Sequence, residues 1–68
     1  MKNRLEDERL RRGWTQQELA DRVEVSRQTV ISLERGRYNP SIILAFKLAR
    51  LLDIRIEDLF IYEENEDD

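Results

Sequence analysis

Two helix-start signals lie eleven positions apart, and a sharp corner is the connection that fits between them. Thr15-Gln16-Gln17-Glu18 is a capping box: the Thr15 hydroxyl accepts from the amide three residues on, and the Glu18 carboxylate reaches back to the Thr15 amide. Leu19, Ala20 and Val23 then give this helix its buried face, ending near Val23. Glu24-Val25 is a very short link, because Ser26 opens the next helix as its N-cap. In that helix Val30 and Leu33 face inward, and Gly36 stops it. Two short helices joined by about three residues cannot lie antiparallel without strain, so they cross at a steep angle.

The rest of the chain is arranged around this corner. Asn3 starts a first helix running to about Arg12, with Glu6, Asp7 and Glu8 near its start and Arg9, Arg11 and Arg12 near its end, an order that suits the helix dipole. Gly13 ends it as a left-handed cap. Arg37-Tyr38-Asn39-Pro40 is a loop, and Ser41 caps a fourth helix to about Leu52, whose Ile42, Ala45, Phe46, Ala49 and Leu52 fall on one face. Asp53-Ile54 breaks that helix, and Ile56 to Phe60 supplies one or two further turns. Phe60-Ile61-Tyr62 is short and β-favouring, and Phe60 to Glu63 is expected to pair antiparallel with Met1 to Arg4, the alternative being frayed ends. A lone hairpin is marginal in water, so it must lean on the body through Phe60 or Tyr62.

Composition narrows the function classes. Sixty-eight residues allow one domain, expected over 1–62, followed by an acidic disordered tail over 63–68. With no Cys and no His, the chain lacks a disulfide, a thiolate metal site, the usual general base and the commonest zinc ligand. It also lacks a glycine-rich phosphate loop, so no catalytic residue, metal, cofactor or small-molecule substrate is expected, and an enzyme is not. No apolar run approaches a membrane span and no signal-peptide profile opens the chain, which points to a soluble, cytoplasmic, mostly helical module. The net charge of −3 comes from the tail: residues 1–62 carry +2 and the last six carry −5. An acidic balance so confined does not argue against nucleic-acid binding.

The stretch Thr15 to Gly36, TQQELADRVEVSRQTVISLERG, resembles the phage-repressor and Cro (XRE) type of helix-turn-helix. The likeness extends back through Leu5, Arg9, Gly13 and Trp14 and forward through Tyr38-Asn39-Pro40-Ser41, covering roughly residues 4–60. It implies an all-α, five-helix, lambda-repressor-like DNA-binding domain. Small free-standing members of the family, which this chain is especially similar to, are symmetric dimers with a short terminal β-hairpin. Two positions depart from the pattern: Glu24 stands where the family usually has Gly, and Arg55 where close relatives cap the last helix with Ser or Thr.

The helix from Ser26 to Arg35 leaves Arg27, Gln28, Ile31 and Ser32 away from Val30 and Leu33, at spacings that form one strip. Arg matches the two acceptors of guanine and Gln the acceptor–donor pair of adenine; Ile31 could meet a thymine methyl, and Ser32 suits any base. The plainer alternative is the polar surface of any helix, which has little use for an exposed Ile. Thr29 either touches a phosphate or packs on the first helix of the motif. By resemblance, Gln16 grips the DNA backbone at a helix start, and Arg35, Arg37, Tyr38 and Asn39 form a second grip. Asn39 reads equally as a turn residue before Pro40, and Tyr38 as a packing residue over its loop. Arg9 and Glu34 match positions that form a partly buried ion pair between the first and third helices. Trp14 is expected at the edge of the core.

The fourth helix is too apolar for a single buried stripe. Ile43, Leu44 and Leu51 lie off its main face, with Leu59 and Phe60 soon after, and together they suggest a homodimer surface. A symmetric pair would set two recognition helices about 34 Å apart, matching two half-sites on one face of double-stranded DNA. The expected function is therefore a sequence-specific transcriptional regulator, a repressor, binding a palindromic operator as a homodimer. The competing reading is an antitoxin-like module whose fold chiefly masks a partner protein.

Overall fold

Three serine and threonine hydroxyls decide where the helices begin. In the computed structural model, which describes residues 1–37 and 39–63, Thr15, Ser26 and Ser41 each accept from the backbone amide three residues on, at 3.0–3.1 Å. The Thr15 box is complete, with the Thr15 amide donating to Glu18 Oε1 at 2.7 Å. The elements in order are β1 (Lys2–Asn3), α1 (Leu5–Arg11), α2 (Gln16–Val23), α3 (Arg27–Glu34), α4 (Ile42–Leu52), α5 (Ile56–Leu59) and β2 (Phe60–Ile61). Among the described residues the fold is thus mostly helical, with five helices and one small two-stranded sheet.

The strands pair antiparallel, Lys2 opposite Ile61 and Asn3 opposite Phe60. Asn3 accordingly belongs to β1 rather than to the first helix. Its side chain still does part of the expected work, since Oδ1 accepts from the Leu5 amide at 3.0 Å. Phe60 is likewise strand, so the last helix is a single turn, and its start at Arg55 carries no side-chain cap. The disordered tail expected over 63–68 lies outside the described residues apart from Glu63, which meets Lys2 at 3.5 Å.

Leu5, Leu19, Ala20, Val23, Val30, Leu33, Ala45, Leu48, Leu52, Leu59 and Phe60 form one core contributed by every helix. In α4 the buried stripe is Ala45, Leu48, Ala49 and Leu52. The expected stripe included Ile42 and Phe46 instead of Leu48, and these two are 70% and 52% exposed. At 3.6 residues per turn the true stripe is rotated by only about 50° from the expected one. Apolar residues all round the helix hide so small a rotation from the sequence pattern. No helix among the described residues is long and apolar enough to cross a membrane.

Candidate nucleic-acid interface

The corner between α2 and α3 is made by Glu24 in the left-handed conformation, φ 63° and ψ 45°. The Val25 amide returns to the Ala20 carbonyl at 3.0 Å, and Ser26 then caps α3. A non-glycine residue in this conformation costs about 1 kcal/mol. Val30 and Leu33 are fully buried, anchoring one side of α3.

Arg27 and Gln28 sit side by side in the first turn of α3, both exposed. Ile31 and Ser32, expected to be equally open, are half-buried. They lie one turn further along α3, next to the buried Val30 and Leu33. Thr29 is half-buried and its hydroxyl lies 2.9 Å from Ser26 Oγ, which makes it an extension of the cap.

The far end of α3 is held by an ion pair. Arg9 Nε donates to Glu34 Oε2 at 2.6 Å and Nη2 to Oε1 at 3.2 Å, with the two side chains only 8% and 5% exposed. The third guanidinium bond goes to the Trp14 carbonyl at 2.8 Å. Hydrogen bonding to Glu34 raises the Arg9 pKa above its ordinary value despite burial. Gln16 joins the same carboxylate, its Nε2 donating to Glu34 Oε1 at 3.2 Å. Its side-chain nitrogen is thereby occupied, while the start of α2 stays half-open beside it. Trp14 lies at the core edge with the Arg22 guanidinium 4.2 Å from its ring centroid.

After Glu34 the chain closes in a Schellman turn: the Gly36 amide reaches the Leu33 carbonyl and the Arg37 amide the Ser32 carbonyl, both at 3.0 Å. Gly36 has φ 69°, and Arg35, Arg37 and Asn39 stand exposed around it. Tyr38 lies outside the described residues. Arg27 and Gln28 are thus carried on the first turn of one short helix, and the cations at 35 and 37 on the turn that closes it.

A helix-turn-helix family profile matches residues 5–59, almost the whole described body. The chain belongs to the XRE-type helix-turn-helix family. HTH-type transcriptional regulators of Archaeoglobus fulgidus and Methanocaldococcus jannaschii are each 50% identical to it over 66 residues, covering 97% of this chain and 94% and 100% of theirs. The crystal structure of the restriction-modification controller protein C.AhdI from Aeromonas hydrophila is similar at a TM-score of 0.74, with 38% identity over 84% of this chain and 86% of that one. Membership makes this an HTH-type transcriptional regulator, a DNA-binding and non-enzymatic class.

Two features of this helix-turn-helix protein escape the sequence pattern. Glu8 is buried, bonded to Arg12 at 2.9 Å and Arg11 at 3.2 Å, while Arg12 also donates to the Leu52 carbonyl at the end of α4. The hydrogen bond from Arg12 holds the Glu8 carboxyl below its ordinary pKa. An acidic residue in a first helical turn reads as dipole matching, so nothing in the pattern marked it. The second feature is the apolar surface. Leu59 and Phe60, expected at a homodimer face, are 0% and 9% exposed because the single turn of α5 and the sheet fold them into the protomer's own core. Leu44 and Leu51 are half-buried against that core, on the flank of α4 away from Phe46. Of the five expected residues only Ile43 is open; the other large exposed apolar groups among the described residues are Leu10, Ile42, Phe46 and Tyr62.

Proposed function

We propose that the protein is a sequence-specific repressor that binds a palindromic operator as a homodimer, with one α3 in each of two successive major grooves. The observation that carries this reading is the pairing of Arg27 and Gln28, exposed together on the first turn of a helix anchored at both ends. Bidentate recognition needs such fixed geometry, because a guanidinium or carboxamide discriminates bases only when its plane is held against the base edge. Ile31 and Ser32, set deeper, would complete the contact with shorter reach. Arg35, Arg37, Tyr38 and Asn39 at the end of α3, with Gln16 beside Glu34 at that same end and Thr29 near its start, would meet phosphates and set the register.

The dimer surface in this proposal is Ile42, Ile43 and Phe46 on α4 with Tyr62 beyond β2. Tyr62 also lines an apolar groove with Ala45, Ile56 and Phe60. A second copy would cover exposed side chains that a small monomer has little reason to carry.

Selection of bound duplexes from a random pool tests the reading. The parent should enrich a two-fold symmetric sequence, and Arg27→Ala or Gln28→Ala should lose preference at particular positions while keeping salt-sensitive binding. Phe46→Glu should yield a monomer by sedimentation, with weakened operator binding. A parent that enriches nothing would overturn the regulator reading of α3 and favour a module that masks another protein.

A further inference from the structure

We propose that Asn3 is a positioning residue for the phosphate-gripping end of α3. This rests on the reading that Arg35, Arg37 and Asn39 meet the DNA backbone. The last carbonyls of a helix find no partner within it. At α3 the Schellman turn closes two of them, and the Leu33 carbonyl takes a second bond, from Asn3 Nδ2 at 2.8 Å. The other end of the same carboxamide accepts from the Leu5 amide at 3.0 Å. One short side chain therefore joins β1, the start of α1 and the end of α3, across thirty positions of sequence.

The backbone of β1 is seated on the turn as well. The Met1 nitrogen lies 3.4 Å from the Gly36 carbonyl oxygen, and a Cβ placed on Gly36 would stand 2.9 Å from the Met1 carbonyl oxygen. Glycine at 36 answers both that approach and the positive φ. Arg35 and Arg37 flank this seat, exposed and without an acidic partner among the described residues. Their aim depends on the turn's orientation, and the turn's orientation is set by what it rests on. Asn3 never touches the nucleic acid; it fixes the platform from which the two cations reach.

Asn3→Ser isolates the claim, because it keeps a short oxygen for the Leu5 amide and removes the donor to Leu33. The probe is the duplex enriched by the parent, titrated over a range of salt. Expected is a two- to tenfold loss of affinity, about the worth of one hydrogen bond. The slope of log K against log salt should shrink by roughly 0.9, one phosphate contact, with the base preference unchanged. Asn3→Asp, which also keeps the oxygen but adds a negative charge beside the Leu33 carbonyl, should lose more affinity than Asn3→Ser. Parent slope and affinity in folded Asn3 variants would overturn the proposal, as would variants that unfold, since Asn3 would then be purely structural. Arg35→Ala and Arg37→Ala must themselves reduce the slope. If they do not, the clamp reading falls and the proposal with it; if they do and the Asn3 variants do not, the proposal alone falls.

Discussion

The chain turns the same corner twice. Glu24 (φ 63°, ψ 45°) ends α2 and Asp53 (φ 54°, ψ 49°) ends α4; Val25 and Ile54 each return an amide to the carbonyl five residues back at 3.0 Å. Ser26 and Arg55 then lead into the next helix with nearly equal dihedrals, −76°, 156° and −71°, 147°. The helices beyond the two corners differ. Ser26 caps an eight-residue helix whose end is fixed by Arg9–Glu34, whereas Arg55 turns to Asp58 at 3.2 Å and opens a single turn. That turn is kept in place by the burial of Leu59 and by the Arg4 amide on the Leu59 carbonyl at 2.9 Å. One backbone path thus serves two ends: polar side chains presented outward on a finished helix, and an apolar side chain driven inward on an unfinished one. The side chains after the corner decide which.

Removing what fixes each product should be the largest effect. Glu34→Ala strands a buried guanidinium and should cost about 3–5 kcal/mol in denaturant unfolding. Leu59→Ala leaves a cavity beneath α5 and should cost about 2–5 kcal/mol. The two should part in character: Glu34→Ala should raise hydrogen exchange along α3, and Leu59→Ala along α5 and the β1–β2 pair. Equal exchange everywhere in both variants would erase the distinction between the corners.

Acid probes the second corner by a different route. Glu8 holds Arg12, which donates to the Leu52 carbonyl one residue before Asp53. The folded pKa of Glu8 lies below its ordinary 4.5, so its contribution is complete above that value and is lost as the pH falls through the lower, folded one. The parent's melting temperature should drop over that acid range, and Glu8→Gln should lack this part of the drop. A smaller effect again comes from the caps. Ser26→Ala should lose about 1 kcal/mol, while Arg55→Ser, which supplies the missing cap, should raise the melting temperature by about 2–5 °C.

How much of the fold could be read in the sequence depends on the range of the forces involved. The caps at Thr15, Ser26 and Ser41 and the glycine stops at 13 and 36 are local devices, complete within four residues, and each stands where the pattern set it. Arg9–Glu34 was legible through family likeness alone, since nothing local links positions 25 apart. The face of α4 was not legible. Nine of its eleven residues are apolar, so periodicity cannot choose between Leu48 and Phe46; the choice is made by the elements packed against it. For the same reason Leu59 and Phe60 read as surplus surface when they close the core. Asn3 sent two local signals, cap and strand, and the structure satisfies both with one side chain.

The left-handed residues themselves offer the finest contrast. Asp tolerates positive φ better than Glu, because its shorter side chain can bond locally to the backbone. Replacing each by glycine should therefore help unequally: Glu24→Gly should gain up to about 1 kcal/mol and Asp53→Gly less, since less strain is present to relieve. One contact works against that order. Glu24 Oε1 lies 3.4 Å from Lys47 Nζ, an exposed pair worth about 0–0.5 kcal/mol, and the glycine removes it. Lys47→Ala supplies the correction, because it deletes the pair and leaves the backbone alone. Melting curves of the three variants should place Glu24→Gly highest once the Lys47→Ala loss is added back. If Asp53→Gly instead gains as much, the two corners carry equal strain, and the family's preference for glycine after α2 has some cause other than backbone conformation.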